Sequence, residues 1–480
     1  ISSSDWSSDV CSSDLSESIL DTLSHDSLDF LASYLQIPNF KIDQDISGST
    51  RGMPEYLRSG ASLVCVAAYF GSINCVNYLL SNGAKTKETS KSKPTVAECA
   101  GCSGNFQLIQ LLMQYRIDLQ PAMFGCLATY KNDLFMWLQQ NVCDDLHKLF
   151  REKDQSYLHI ASKYANTQAM AYLLNNCGFD INCQDSDKNT PLMTAVKNGK
   201  IESVKLLVQY PTLNVNIQDQ QGNTALHVAV QNSDIALVQV LVAIPTINVN
   251  INNKSNQSAL AIAINQKKTQ IAMVLLQSPY LNPNLPNSNG ETILHSLISI
   301  KDKQLIQYLI STANCDLNRR TVAGKTPLHL AVETRDPAIV NLLLSTERVK
   351  VNKIDRDGET PFYRACALKF EEAIPMFLSY SGLKINKPNF KYMTPLMIAA
   401  QNGCEKIVHL IIQIGKADLN AQDNKYYTAL HYAVASNKIP VIQTIICAPG
   451  VERRAYTANG QNIFTLTTNK QVLEFLAKYQ

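Results

Sequence analysis

Five of the eight histidines in this 480-residue chain share a common spacing, and histidine is the side chain best suited to acid–base and metal chemistry near neutral pH. Consecutive members of the set are 34 residues apart, or a multiple of 34. The five are His159, His227, His295, His329 and His431. A metal or catalytic site requires its residues to converge, whereas even spacing predicts a row with one histidine per repeated unit. We therefore interpret these histidines as structural.

Two shorter motifs also suggest chemistry, but each lacks the residues that would complete it. Cys99-x-x-Cys102 has the spacing of a redox or zinc pair, yet no second pair accompanies it and both cysteines fall in a predicted helix. The segment 324–326 (GKT) matches the end of a phosphate-binding loop, but Arg319 occupies the position of the leading glycine. We interpret the cysteines as helix-packed and 324–326 as the tip of a hairpin.

Four aspartates recur at one position of the same 34-residue spacing, so they do not form the convergent pair that acid–base catalysis needs. They are Asp185, Asp219, Asp355 and Asp423. Each begins a short polar stretch, which indicates a turn former. The sequence also contains no kinase loop, nucleophile elbow or zinc-protease helix. It predicts no catalytic, cofactor-binding or metal-binding residue, and hence a protein that is not an enzyme.

The period of 34 extends over the last two-thirds of the chain. Ten small polar residues keep it, and each opens a segment of one shape. They are Ser156, Thr190, Thr224, Ser258, Thr292, Thr326, Thr360, Thr394, Thr428 and Asn462. A fixed period of about 20–50 residues is typical of solenoids, which stack one supersecondary unit on the next. Solenoids usually act through an extended surface and not through a catalytic cleft.

The segments that these residues open read Thr-Pro-Leu-His or a close variant. Examples are 190–193 (TPLM), 224–227 (TALH), 326–329 (TPLH) and 428–431 (TALH). This motif resembles the ankyrin repeat, and the resemblance covers 156–480. The resemblance implies two helices per repeat and a projecting β-hairpin or finger between repeats, with the histidine bonding the neighbouring backbone. The usual ankyrin period is about 33 residues, and the extra residue here falls after the second helix.

Helix chemistry agrees with this motif. Thr326 is a good N-cap, and proline suits the next position because its missing N–H has no partner there. Ala331 is small enough to let neighbouring repeats stack closely. In the second helix, Val340, Leu343 and Leu344 form an apolar stripe. Since no repeat can bury both of its helices alone, the sequence predicts an all-α helical solenoid.

The repeats divide the chain into five predicted segments. Residues 1–15 form a Ser/Asp tract that resembles a translated sequencing adapter, which we expect to be a disordered artefact in place of the native N-terminus. Residues 16–58 are predicted to form a helical cap and 59–155 irregular repeats. Residues 156–461 hold nine regular repeats, and 462–480 a capping repeat, since terminal repeats are usually atypical.

Composition narrows the classes of partner. The net charge of +3 is too balanced for an electrostatic binder of nucleic acid or of a membrane surface. No apolar run approaches the ~20 residues that span a bilayer. Thirteen cysteines, an odd number, do not predict a disulfide framework. We expect a monomer in the cytoplasm, with the nucleus as the alternative compartment, that inserts into no membrane.

The resemblance also predicts where a partner would bind. Ankyrin proteins usually bind partners on the concave face, through finger tips and the exposed side of the first helix. The corresponding candidates are Gln220, Gln221, Asn223, Arg356, Glu359, Phe390, Tyr392, Met393, Tyr426 and Tyr427. Exposed aromatic residues are typical of binding hot spots, so we expect a site centred on the fingers at 388–428. The alternative is that these rings only pack finger against finger.

Two functions fit these expectations. The first is a scaffold or adaptor that binds another protein and catalyses nothing. The second is a regulatory array of a larger enzyme or channel whose other domain lies outside this sequence. The identity of the partner is not encoded in the repeat pattern, because solenoid surfaces vary freely over a repeating core.

Overall fold

The computed structural model describes residues 12–36, 41–43, 45–46, 61–86, 93–142, 154–312 and 314–479. Contacts divide the chain into two compact units, 1–247 and 248–480. Each unit is a stack of antiparallel helix pairs. The first helix of a pair packs on the first helix of the next pair, and the second helix packs on the next second helix.

The described part of the first unit begins with the helices Ser12–Ser24 and Leu28–Leu35. A two-residue strand, Asp45–Ile46, then pairs antiparallel with Ala61–Ser62. Six further helix pairs follow. Their first helices are Leu63–Phe70, Val96–Ser103, Ala122–Ala128, Tyr157–Tyr164, Pro191–Lys197 and Ala225–Gln231. Their second helices are Ile73–Ser81, Phe106–Gln114, Asn132–Asn141, Thr167–Asn176, Ile201–Leu207 and Ile235–Val242.

The described part of the second unit contains six more pairs. Their first helices are Ala259–Asn265, Ile293–Ile300, Pro327–Glu333, Pro361–Ala367, Pro395–Gln401 and Ala429–Ala435. Their second helices are Thr269–Leu276, Lys303–Ser311, Pro337–Leu344, Ile374–Leu378, Glu405–Gln413 and Ile439–Ile446. Glu371–Ala373 and Ala477–Tyr479 are 3₁₀ turns, and the last helix is Lys470–Leu476. The all-α prediction is confirmed.

Each regular first helix begins one residue after the predicted cap. The hydroxyl of Thr190 accepts a hydrogen bond from the main-chain N–H of Met193, at 3.2 Å. Where histidine follows three residues later, its ring closes a second bond: the N–H of Thr326 donates to Nδ1 of His329 at 3.1 Å. Both bonds satisfy donors that a helix N-terminus leaves without partners, which explains why the Thr-x-x-His pattern specifies the helix start.

Small residues allow the first helices to approach closely. Ala331, Ala365 and Ala399 are fully buried between neighbouring helices. In the first unit the approach is closest at Gly101 and Gly125, where an added Cβ would lie 2.0 Å from a carbonyl oxygen of the facing helix. Alanine or glycine at these positions therefore sets the distance between repeats.

A row of asparagines, the clamp asparagines, ties each repeat to the next. They are Asn182, Asn216, Asn250, Asn284, Asn318, Asn352, Asn386 and Asn420. Each donates from Nδ2 to the carbonyl oxygen 30 residues further on, at 2.6–2.9 Å. For seven of them, Oδ1 also accepts from the main-chain N–H 32 residues further on, at 2.6–2.9 Å. Both bonds span fixed separations along the chain, so they accompany the strict period.

The two ends of the described chain depart from the regular repeat. Asn462 keeps the period but begins a turn, so the last unit has no first helix and consists of Lys470–Leu476 with its 3₁₀ turn. Oδ1 of Asn462 accepts from the N–H groups of Phe464 and Thr465, as a capping residue does, but the chain forms only a turn there. The predicted tract at 1–15 lies mostly outside the described residues, and the helix Ser12–Ser24 begins within it.

Among the described residues, no helix combines the length and apolar character that crossing a membrane would require.

The clamp predicts a measurable contribution to stability. In Asn352, Nδ2 donates to the Gly382 carbonyl at 2.7 Å and Oδ1 accepts from the Lys384 N–H at 2.9 Å. Asn352→Ala removes both bonds and should lower the free energy of unfolding by about 1–3 kcal/mol. Urea denaturation followed by circular dichroism measures this. Asn459→Ala, at an exposed finger asparagine, is the control and should change little; equal effects of the two variants would contradict the clamp.

Candidate functional site

Each finger is closed by a turn that its first polar residue holds. In the finger at 355–359, Oδ1 of Asp355 accepts from the main-chain N–H of Asp357 at 3.0 Å and of Glu359 at 2.9 Å. Asp185, Asp219 and the asparagines and aspartates at the same position in other repeats bond in the same way. The interpretation of the aspartate row as turn formers is confirmed.

Backbone hydrogen bonds join the finger tips of the second unit. The main-chain N–H of Arg356 donates to the Ala323 carbonyl at 3.2 Å, and that of Phe390 to the Asp357 carbonyl at 3.3 Å. The same bond joins three further pairs of tips: Val322 to Asn289, Asn424 to Lys391, and Ala458 to Lys425. Since the backbone alone holds neighbouring tips together, their side chains are free to differ from finger to finger.

Two tyrosines occupy a left-handed backbone position at the tips, which Lys188 and Asn256 also hold in the equivalent turns of other repeats. Gly290, Gly324 and Gly358 have positive φ at the fourth position of their turns, where glycine pays no steric penalty. The same position holds Tyr392, with φ +61°, and Tyr426, with φ +60°. A bulky side chain in this left-handed region costs about 1–2 kcal/mol. The fold does not require the rings, since glycine serves at the equivalent position of neighbouring fingers.

Three aromatic side chains form what we name the aromatic tip surface: Phe390, Tyr392 and Tyr426. Their exposed fractions are 65%, 63% and 55%. Phe390 also packs against the preceding finger, because a Cβ built on Gly358 would lie 2.8 Å from its Cγ. The alternative of finger-against-finger packing therefore holds in part for Phe390, and more than half of each ring remains open to solvent.

Four of the ten candidates share a repeat position that the structure covers. They are Asn223, Glu359, Met393 and Tyr427, each directly before a capping threonine. Asn223 and Met393 are buried, with 8% and 9% exposed. Their main-chain N–H groups are bonded to Asp219 and Asn389 within the turn, which places them on the inner side of the finger. As buried residues, Asn223 and Met393 offer a partner little side-chain surface in this structure.

The other two residues at this position are half-buried and already engaged. Glu359 forms an ion pair with Arg364, Oε2 to Nη1, at 3.2 Å. Arg364 in turn contacts Glu333 at 3.3 Å, and Lys325 contacts Glu333 at 2.8 Å. This network neutralises Glu359 as a free charge for a partner. Tyr427 packs on Tyr432, with ring centroids 5.3 Å apart.

Sequence reasoning missed Arg364, Glu333 and Tyr432. All three lie on first helices, and Tyr432 donates from its hydroxyl to Oδ2 of Asp423 at 2.6 Å. For Arg364 and Tyr432, the signal was the charged or aromatic character of a position that other repeats fill with aliphatic residues, serine or threonine. The remaining candidates are exposed as expected: Gln220 and Gln221 in the first unit, and Arg356 in the second.

The histidine row has no part in this surface. His329 accepts from the N–H of Thr326 at Nδ1, so its Nε2 carries the proton and donates to the Glu359 carbonyl at 3.0 Å. His159 and His431 bridge to the next finger in the same way, at 2.9 and 3.1 Å. Nε2 of His295 is buried without a hydrogen-bond partner. His159, His329 and His431 thus link the start of their own helices to a following segment of the chain.

A family model for ankyrin repeats matches residues 64–185, 158–253, 232–321, 297–389 and 377–455, which together cover most of the chain. The chain belongs to the ankyrin repeat family. Ankyrin repeats generally mediate protein–protein interaction and are typically not catalytic, so the exposed tips are the natural place to look for function.

Among solved structures, this ankyrin array is similar to the ankyrin repeat domain of Bcl-3, described as a unique member of the IkappaB protein family. The sequences are 21% identical, and the TM-score is 0.40. The match covers 54% of this chain and 99% of the Bcl-3 chain.

The buried histidines of the array predict a loss of stability in mild acid. Burial lowers the pKa of His159, His295, His329 and His431. Below about pH 6.5 the histidines of the unfolded chain bind protons that the buried histidines of the folded chain do not bind. The free energy of unfolding therefore decreases as the pH is lowered. The loss should reach up to about 1.4 kcal/mol per pH unit for each histidine. Denaturation midpoints between pH 7.5 and 5 measure it.

A matched pair of variants isolates the histidines from other acid effects. His329→Gln should lower stability at pH 7.5 and make the pH dependence shallower, because one buried titrating group is gone. His409→Gln, at an exposed histidine of a second helix, should leave the slope unchanged. A slope that H329Q leaves as steep as in the wild type would contradict the assignment.

Proposed function

We propose that this chain is a non-enzymatic scaffold or adaptor that binds a partner protein through the aromatic tip surface. The observation that carries the proposal is the conformation of Tyr392 and Tyr426. Residues in strained backbone are held there by the surrounding structure, and they cluster at binding and active sites. Neighbouring fingers use glycine at the same position, so the tyrosines weaken the fold where they stand.

The composition of the surface suits a protein partner. Tyrosine offers a large, rigid, amphipathic contact area and is enriched in binding hot spots. Phe390 adds an apolar ring that is anchored over Gly358. The backbone bonds between tips hold the three rings on a pre-ordered frame, which lowers the entropy that binding must overcome.

Polar residues complete the proposed surface. Arg356 is exposed on the finger next to Phe390 and supplies a charge at the rim. Gln220 and Gln221 lie in the first unit and stay candidates for contacts with the same or another partner. The network of Lys325, Glu333, Arg364 and Glu359 is internally neutralised and serves to order the base of the fingers.

A double substitution separates binding from folding. Tyr392→Gly with Tyr426→Gly should raise the free energy of unfolding, by up to about 1–2 kcal/mol per site, because glycine relieves the left-handed strain. The same variant should lose the partner. Affinity capture with the whole chain, followed by quantitative mass spectrometry, compares what the wild type and the variant retain.

Tyr280→Ala provides the control, since Tyr280 is an exposed tyrosine, 46% accessible, away from the tips. It should retain the partners of the wild type. If the glycine variant is less stable than the wild type, the rings serve packing. If it is more stable and binds every wild-type partner unchanged, the binding site lies elsewhere.

A further inference from the structure

Four lysines lie together at the turns between second helices and fingers in the second unit. Lys350 and Lys384 donate their main-chain N–H groups to the clamp asparagines Asn318 and Asn352, at 2.6 and 2.9 Å. Lys353 follows Asn352 directly, and Lys387 follows the clamp asparagine of the next repeat in the same way. The clamp therefore brings two lysines from each of two stacked repeats to one place, which we name the lysine cluster: Lys350, Lys353, Lys384 and Lys387.

The lysines crowd one another without acidic partners. In the described part of the chain, no carboxylate lies within ion-pair distance of any of the four, although other surface lysines are paired, as Lys303 is with Asp336. The ammonium of Lys387 instead donates to the main-chain carbonyl of Asn352 at 2.7 Å. Burial lowers the pKa of Lys387, and Lys384 and Lys353 lower it further by repulsion. The cluster is thus a concentrated positive field in a chain of modest net charge.

An open pocket lies within the cluster. Its volume is about 400 Å³, and Lys350, Lys353 and Lys384 line it together with Tyr380. The hydroxyl of Tyr380 donates to the Val349 carbonyl at 3.0 Å, which holds the ring as one wall. A pocket of this size suits a small molecule.

Carboxylates in the repeats on either side of the lysine cluster limit the length of an anion that can bind there. Asp316 and Asp418 hold the position of Lys350 and Lys384 in the preceding and following repeats. A long polyanion such as a nucleic acid would extend from the lysines onto these carboxylates, whereas a compact one would not. Lysine binds phosphate as a compact point charge with three donors, so several ammonium groups can surround a compact polyanion.

We propose that the lysine cluster is a binding site for a compact ligand with two or more phosphate groups. The site lies at the base of the fingers and is independent of the aromatic tip surface. The ligand is either a free polyphosphorylated molecule or the headgroup of a polyphosphorylated lipid, and both sources present the same chemistry to the three lysines that line the pocket.

Calorimetric titration of the whole chain with inorganic tripolyphosphate tests the site. The wild type should bind it, with an affinity that falls as salt is raised from 50 to 200 mM. Lys353→Gln with Lys384→Gln should weaken binding about tenfold or more. Lys254→Gln with Lys301→Gln removes two exposed lysines elsewhere and should leave the affinity unchanged. The four lysines substituted in these two variants are all exposed. Both variants should therefore fold, and their melting temperatures should equal that of the wild type.

Two further experiments identify the source of the ligand and test whether the site prefers a compact polyanion to a long one. The first is co-sedimentation with phosphatidylcholine vesicles that contain a bisphosphorylated phosphoinositide. If the wild type sediments with these vesicles and K353Q/K384Q does not, the ligand is a lipid headgroup. If the wild type binds soluble tripolyphosphate but not the vesicles, the ligand is a free molecule. Either result supports the site. The proposal is overturned if tripolyphosphate does not bind, if both double variants weaken it equally, or if a single-stranded oligonucleotide binds the lysine cluster more tightly than tripolyphosphate does.

Discussion

The clamp asparagine is the interaction on which the rest of the structure depends. Its side-chain amide can donate to a carbonyl and accept from an N–H in the same plane, and it does so across the boundary between repeats. The two bonded groups lie 30 and 32 residues further on, as in Asn352 with Gly382 and Lys384. The same two separations recur along the row of clamp asparagines, so the clamp accompanies the period of 34 at the turn that precedes each finger.

Once the clamp asparagines hold the repeats in register, the other repeated contacts between neighbouring repeats can form. The histidine at each helix start reaches the carbonyl of the next finger, as His329 reaches Glu359, and neighbouring tips bond backbone to backbone. These contacts use main-chain atoms or buried side chains, so they do not depend on the side chains at the exposed positions. A solenoid of this kind can change its surface residue by residue at little cost in stability. The aromatic tip surface and the lysine cluster are two such local changes, placed on the same frame.

Periodicity made much of the fold predictable. The threonine row predicted the helix starts, the histidine row its own structural role, and the aspartate row the turns. Periodicity did not reveal exposure where the exposure of a position depends on its direction within the finger. Asn223, Glu359, Met393 and Tyr427 share a position that appears, in sequence, as accessible as the tip beside it. The turn directs it inward, and only the three-dimensional path of the finger shows this.

The sequence by itself determined the repeat, its length and the helix pair within it, because caps, apolar stripes and small packing residues act over a few neighbouring positions. It also contained the aromatic residues of the late fingers. Tertiary structure alone decided which of those rings are exposed, that Tyr392 and Tyr426 stand in left-handed backbone, and that Lys353 and Lys384, 31 residues apart, share one pocket. The reason is that stacking converts separation along the chain into adjacency across repeats, and burial and charge density depend on adjacency.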